Sequence, residues 1–243
     1  FYDLILGVDP NNRDRVIAGG INLHMTTNGG STWSQISKWS NNPNMGSKNY
    51  SYVHADQHAI VFKSGQSNEV LFGTDGGVFY TNNLSTAATS NVISARNNDY
   101  NITQFYACAI HPNASTNYFL AGSQDNGSQQ FNTAGINSTV EVNGGDGAFC
   151  FIDQTNPTYQ ITSYIYNTYD LSTNGGASFF TNIVSDQNTG SFINTADYDN
   201  NLDILYSAKG TNDIYRFSGI SGSISQNTLT ISGMSTMASA LYV

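Results

Sequence analysis

Charge is scarce in this sequence. Asp, Glu, Lys and Arg make up 10% of its 243 residues, against about a quarter in an ordinary soluble domain. Only eight residues are Lys or Arg, no basic run exists, and the net charge is −9. Such a chain lacks the footprint of a nucleic-acid binder. No apolar stretch approaches the roughly 20 residues of a membrane helix, so no transmembrane segment is expected. Proline is rare, at four, while 15 Tyr and 13 Phe supply half-buried strand residues, which argues against disorder. No stretch carries convincing helical periodicity. Cysteine is limited to Cys108 and Cys150, too few for a disulfide framework. The chain starts at Phe1 without a visible signal peptide and reads as a mature or trimmed piece of an exported protein.

What fills the sequence is Asn, Ser, Thr and Gly, and these recur in order. Thr26-Thr27-Asn28-Gly29-Gly30-Ser31-Thr32-Trp33 and Ser172-Thr173-Asn174-Gly175-Gly176-Ala177-Ser178-Phe179 are one turn written twice. The Gly pair suits the positive φ angles of a tight hairpin. Trp33 and Phe179 are then expected to fill the core. Asp9, Lys63, His111, Asp153 and Asp197 mark equivalent strand ends, at steps of 54, 48, 42 and 44 residues. That is the period of a four-stranded propeller blade. The expected fold is all-β: a β-propeller of four-stranded antiparallel blades. About five blades are expected over 1–53, 54–103, 104–145, 146–192 and 193–237. Residues 238–243 read as the first strand of a partial sixth. Five blades and a stub suggest a fragment of a larger propeller, completed by the rest of its parent or by a surface assembly. Cys108 and Cys150 sit at equivalent positions of successive blades and are expected to be two buried free thiols.

The hairpins resemble the Asp-box (BNR) repeat of sialidase-like, sortilin-like and endoxyloglucanase-like propellers, with Asn28 and Asn174 where the usual box has Asp. Tyr52-Val53-His54-Ala55-Asp56-Gln57-His58, Ala121-Gly122-Ser123-Gln124-Asp125-Asn126-Gly127 and Asn143-Gly144-Gly145-Asp146-Gly147 are similar to stretches of large bacterial cell-surface proteins exported by type IX secretion. The resemblance implies an extracellular or cell-surface location in a bacterium.

In a propeller, the link into the first strand of each blade opens on the same face as the turn between its second and third strands. This topology gathers His54, Asp56, His58, Asp75, Tyr106, Gln124, Asp125, Asn126 and Asp146 as candidate ligand contacts. Trp39 joins them from the longest non-repeating insertion, which continues over 40–50. If His54, Asp56 and His58 alternate along a strand they share a face, and imidazole with carboxylate suits a transition metal. The competing reading is that they staple neighbouring blades. The turns over 73–77 and 124–127 offer oxygens to Ca2+ or another divalent metal, or bond their own backbone; no cofactor is required. Asp146 with Asp56, Asp75 or Asp125 is the candidate acid and base for glycoside hydrolysis. Sialidase activity fits poorly, because Arg13 and Arg15 fall away from this face. The preferred reading is a secreted module that binds a glycan or protein surface, with a polysaccharide hydrolase and an assembly component as alternatives.

Overall fold

The computed structural model describes residues 3–40, 49–100, 102–135 and 139–243. The chain divides into two compact units, Phe1–Asn101 and Ile102–Val243. Unit one carries a first blade of β1 (Ile5–Asp9), β2 (Asn12–Gly19), β3 (Leu23–Thr26) and β4 (Ser34–Gln35). A short parallel pair follows, β5 (Ser37–Lys38) and β6 (Ser51–Tyr52). The second blade is β7 (Gln57–Phe62), β8 (Val70–Thr74), β9 (Gly77–Thr81) and β10 (Ser94–Ala95). Unit two holds three blades. The third is β11 (Ala107–Ile110), β12 (Phe119–Ser123), β13 (Gly127–Phe131) and β14 (Val140–Asn143). The fourth is β15 (Cys150–Ile152), β16 (Gln160–Ser163), β17 (Asn167–Ser172) and β18 (Thr181–Asp186). The fifth is β19 (Ala196–Asp199), β20 (Ile204–Ala208), β21 (Asp213–Ser218) and β22 (Ser225–Thr230). Each sheet runs in chain order without crossover, which is the meander of a β-propeller blade. Helix among the described residues is a single 3-10 turn, Leu84–Thr86.

Apolar residues at alternate strand positions bury one sheet face against the next. In unit one Ile17, Leu23 and Met25 of the first blade join Val70, Phe72 and Phe79 of the second. In unit two Ile161, Tyr169 and Leu171 of the fourth blade meet Tyr198, Leu205 and Phe217 of the fifth. Each fully buried Leu, Ile or Phe contributes about 1.5–3 kcal/mol. Glycines set the spacing between blades. A Cβ on Gly7 would lie 2.5 Å from the Ile60 side chain, and one on Gly122 would lie 2.1 Å from the Ala148 carbonyl oxygen.

The first turn of each blade explains the period. Asp9, Asp153 and Asp199 each accept from the backbone N–H two residues on, at 2.8, 2.7 and 2.9 Å. At the same place in the third blade the His111 ring accepts from Asn113 N at 3.1 Å. This corrects the fifth marker: Asp199, not Asp197, ends its strand and closes the turn.

The two Asn-Gly-Gly hairpins are bonded alike. The Asn28 Oδ1 accepts from Thr26 Oγ1 and Thr32 N, both at 2.9 Å, and Asn28 Nδ2 donates to Thr32 Oγ1 at 2.8 Å. Asn174 makes the same three bonds with Ser172 and Ser178. Gly29, Gly30, Gly175 and Gly176 all have positive φ. Phe179 is buried as expected, but Trp33 is 44% exposed. β4 begins only at Ser34 and pairs over two residues, so Trp33 falls outside the ladder and Ile36 fills the core instead.

Two further expectations change. Both cysteines are free, yet Cys150 is buried and Cys108 is exposed. Cys108 lies on β11, where it shares a face with the exposed Ile110. Burial pushes the Cys150 thiol up to about 12. A disulfide-exchange reagent added to the native chain is therefore expected to titrate one thiol promptly and the second only on unfolding. Two thiols reacting promptly would contradict this packing. The tail over 238–243 forms no strand, although Val243 N donates to Asp197 Oδ2 at 2.9 Å.

Candidate functional site

In unit one the chain enters β7 through a bend rather than an extended strand. Asp56 has φ 62°, a left-handed conformation that Asp tolerates better than most residues. Strand β7 starts only at Gln57. His54, Asp56 and His58 therefore do not follow alternate positions of one strand, and the geometry expected for a His-Asp-His metal set is absent. Each takes a separate task. The His54 ring packs on the β8–β9 turn, where a Cβ on Gly76 would lie 2.2 Å from its Cγ. The Asp56 carbonyl accepts from Asp75 N at 3.2 Å. His58 Nε2 pairs with the Asp75 carboxylate, both side chains being about one-third exposed. Carboxylate oxygens of Asp56 and Asp75 come within 4.8 Å of each other.

The turn itself is closed by Thr74, whose Oγ1 accepts from Gly76 N at 3.1 Å and donates to Gly77 O at 3.2 Å. The Asn97 side chain bridges Gly76 O and Val78 N at 2.9 and 2.8 Å. The Thr hydroxyl thus makes the turn, and Asp75 is left to face His58. Trp39 is exposed and anchored through its backbone N–H to Asn22 Oδ1 at 3.0 Å. Residues 41–48 of the insertion lie outside the described residues.

Unit two repeats the arrangement. Tyr106 precedes β11 and donates through its hydroxyl to Gln124 Oε1 at 2.6 Å. Asp125 sits at φ 58°, and its N–H donates to Asp146 Oδ1 at 3.1 Å. Asn126 Nδ2 bonds the Gln124 carbonyl at 2.9 Å. Main-chain bonds join the same pieces: Gly127 N to Gly145 O and Gly147 N to Ser123 O, each 2.8 Å. The link into the fourth blade is thereby laced onto the β12–β13 turn of the third. Asp146 is half-buried rather than prominent, and its carboxylate holds backbone.

A second feature of unit two was not anticipated. The first strands of its three blades, with Leu241 and Tyr242, line a cavity of about 420 Å³. Phe149 and Phe151 stack on its wall, with centroids 6.3 Å apart and planes 16° from parallel. Gln154, Asp197, Asn200 and the exposed Cys108 supply polar edges. A concave, mostly apolar site with a few polar groups is the usual form of a small-ligand pocket. Alternation along β11 and β15 was the available signal, since Cys108, Ile110 and Phe151 take every second position.

Beneath this face the fourth and fifth blades are joined by two polar networks. Asn167 accepts from Asn194 Nδ2 and Ser207 Oγ, and donates to Thr189 Oγ1 and Ala208 O. At the first turns, the Tyr198 hydroxyl lies 2.9 Å from both Asp153 and Asp203. Burial pushes the Asp153 carboxyl up, but bonds from Asn156, Thr155 and Tyr198 outweigh it and hold the group below the usual range. Burial and both carboxylates push the Tyr198 phenol up. Arg15 is likewise committed to structure, bonding the Ser67 carbonyl at 2.8 Å beside Asp9.

No family model matches the chain, and no curated protein sequence matches it. Among solved structures it is similar to a GH74 xyloglucanase from Xanthomonas campestris, with a TM-score of 0.55 and 16% identity over 94% of this chain and 34% of that one. An ancestral GH74 enzyme aligns with a TM-score of 0.42 and 16% identity, over 93% of this chain and 31% of its own. The chain spans about a third of the length of either. The xyloglucanase likeness is one of fold, the propeller of four-stranded antiparallel blades.

Proposed function

We propose that the chain is part of a secreted or cell-surface bacterial propeller of the Asp-box type, and that it binds a glycan or protein surface without catalysing its breakdown. The observation that carries this reading is the use of the candidate carboxylates. Asp146 holds the backbone of Asp125, Asp75 is paired with His58, and both carboxylates are reached by solvent, Asp75 being exposed and Asp146 partly buried. Such carboxylates lack the dry pocket that usually tunes a general acid. The cavity walled by Phe149 and Phe151 supplies what binding needs: ring faces for stacking and a few polar edges.

A glycan array read alongside a reducing-sugar assay tests the proposal. Binding without sugar release is expected, and Phe151→Ala is expected to weaken it by about tenfold, the worth of one aromatic contact. Sugar release that disappears in Asp146→Ala would overturn it.

One observation favours a glycoside hydrolase instead. The Asp56 and Asp75 carboxylates come together, as a paired acid and base requires, and the fold is shared with a xyloglucanase. Under that reading Asp75→Ala abolishes sugar release. The same two carboxylates are the candidate oxygen donors in unit one for Ca2+ or another divalent metal, fewer than the 6–8 oxygens that Ca2+ takes. The assembly reading draws on Leu6 and Val8 of β1 and on Leu4 just before it, an exposed apolar row suited to further blades or a partner.

A further inference from the structure

The outer strand of each blade presents a free edge, and edges invite pairing unless they are blunted. Four of the five are blunted. β4 and β10 are two residues long. β14 carries Glu141, and a bulge interrupts its pairing with β13. β18 ends in Asp186, and its pairing with β17 is bulged as well. β22 has none of these devices. Its six residues, Ser-Gln-Asn-Thr-Leu-Thr, contain no charge, proline or glycine, and all are exposed. They pair with β21 in unbroken register from Ser225 to Thr230.

The register fixes which backbone groups are free. Ile231 N donates to Asn212 O, directly opposite, at 2.8 Å, which marks a hydrogen-bonded position of the ladder. In an antiparallel ladder the bonded pairs alternate, so Leu229, Asn227 and Ser225 also point their backbone groups at β21. The N–H and C=O groups of Gln226, Thr228 and Thr230 therefore point outward from the sheet.

We propose that β22 pairs antiparallel with β22 of a second copy, across a two-fold axis at Thr228. This register sets Thr228 against Thr228 and Gln226 against Thr230, so that each outward-pointing residue exchanges its main-chain bonds with the other copy. The strand is self-complementary: hydroxyls and carboxamides oppose one another, which suits cross-strand pairs, and each copy brings one cation and one anion to the seam, Lys209 on Thr228 Oγ1 at 3.1 Å and Asp213 on Thr230 Oγ1 at 2.7 Å. The two fourfold sheets become one continuous sheet. A single edge buries little area, so association is weak. Because each chain carries −9, added salt tightens it by screening.

Sedimentation equilibrium of the chain at about 100 µM, a concentration suited to a small interface, tests the proposal. The expected mass is twice the 26.3 kDa of one chain. Thr228→Pro removes an outward N–H, at a position where an edge strand tolerates proline, together with the exposed hydroxyl to which Lys209 Nζ donates at 3.1 Å. It is expected to give a monomer whose unfolding midpoint falls by no more than the loss of one exposed hydrogen bond. Thr228→Lys, which sets two ammonium groups face to face, is expected to do the same most clearly at low salt. A monomeric wild-type chain overturns the proposal. So does a dimer that survives both substitutions, in particular one abolished by Leu6→Lys on the apolar row of β1.

Discussion

Gly122→Ala is expected to lower the thermal unfolding midpoint by about 10 °C. Gly122 lies in β12 between Ala107 and Ser128 in the ladder. A Cβ there would sit 2.1 Å from Ala148 O and 2.5 Å from Ala148 N. Both are backbone atoms, so no side chain can swing aside. The link that carries Ala148 is tied to the third blade by Gly147 N to Ser123 O and Gly127 N to Gly145 O. Moving it by the necessary ångström breaks those bonds. Overpacking costs about 1–3 kcal/mol and each lost hydrogen bond about 1. The total of about 4 kcal/mol converts at roughly 2–4 °C per kcal/mol for a chain of this size. Gly30→Ala is the control. Nothing lies within 4 Å of a Cβ at Gly30, and only its φ of 93° resists the change, at about 1–2 kcal/mol. Circular dichroism melts of both variants give the comparison. Equal melts would mean that the third and fourth blades are not packed as described.

The blade order was legible because it rests on repeated local chemistry. An Asn-Gly-Gly turn needs positive φ wherever it occurs, and both copies have it. A side-chain acceptor at the end of a first strand closes the turn that follows, whether it is Asp9, His111 or Asp153. The slip at Asp197 came from the run Asp197-Tyr198-Asp199. Alternation places both carboxylates on one face, and only the turn bond made by Asp199 tells them apart. Trp33 and Cys108 were misplaced for a related reason. Sequence period says which residues share a face, but whether that face is covered depends on the next blade or on where the ladder starts.

The candidate site was legible as topology and illegible as side-chain geometry. Links into the first strands do meet the turns between second and third strands within each unit, as Tyr106 with Gln124 and Asp125 with Asp146 show. The alternation of His54, Asp56 and His58 failed because one left-handed residue, Asp56, turns the chain. An Asp in that conformation looks like any other Asp in a sequence. The cavity of unit two is illegible in the sequence because an apolar first-strand residue looks the same whether the next blade covers it or not. The networks around Asn167 and Tyr198 have no sequence signature, because a buried Asn or Ser looks like the many exposed ones. In a chain with so few charges, carboxamides and hydroxyls take over the joining of blades.

Asn167→Ala is the measurement that weighs this substitution of amides for charges. Asn167 is 0% exposed and uses its whole hydrogen-bonding capacity, two bonds donated and two accepted. Those bonds join the β16–β17 turn of the fourth blade to β20 and the link before β19. Truncation removes a well-packed amide and takes away the acceptor that serves both Ser207 Oγ and Asn194 Nδ2. A buried polar group left unpaired costs about 1–3 kcal/mol, and the cavity adds to it. A loss of about 3–5 kcal/mol is expected, read as an unfolding midpoint lowered by about 10 °C. Asn182→Ala removes an exposed amide that bonds Asp170 Oδ1 at 3.0 Å, and is expected to change stability by less than about 0.5 kcal/mol. Asn194→Ala alone is expected to resemble Asn167→Ala, because Asn194 bonds Asn167, Tyr169 and the same Ala208 carbonyl. The double variant should then lose less than the sum of the two by about 1 kcal/mol or more, since each single change already empties the shared network. Strict additivity would show that the two amides stabilise the blades independently, and would reduce the network to a set of separate bonds.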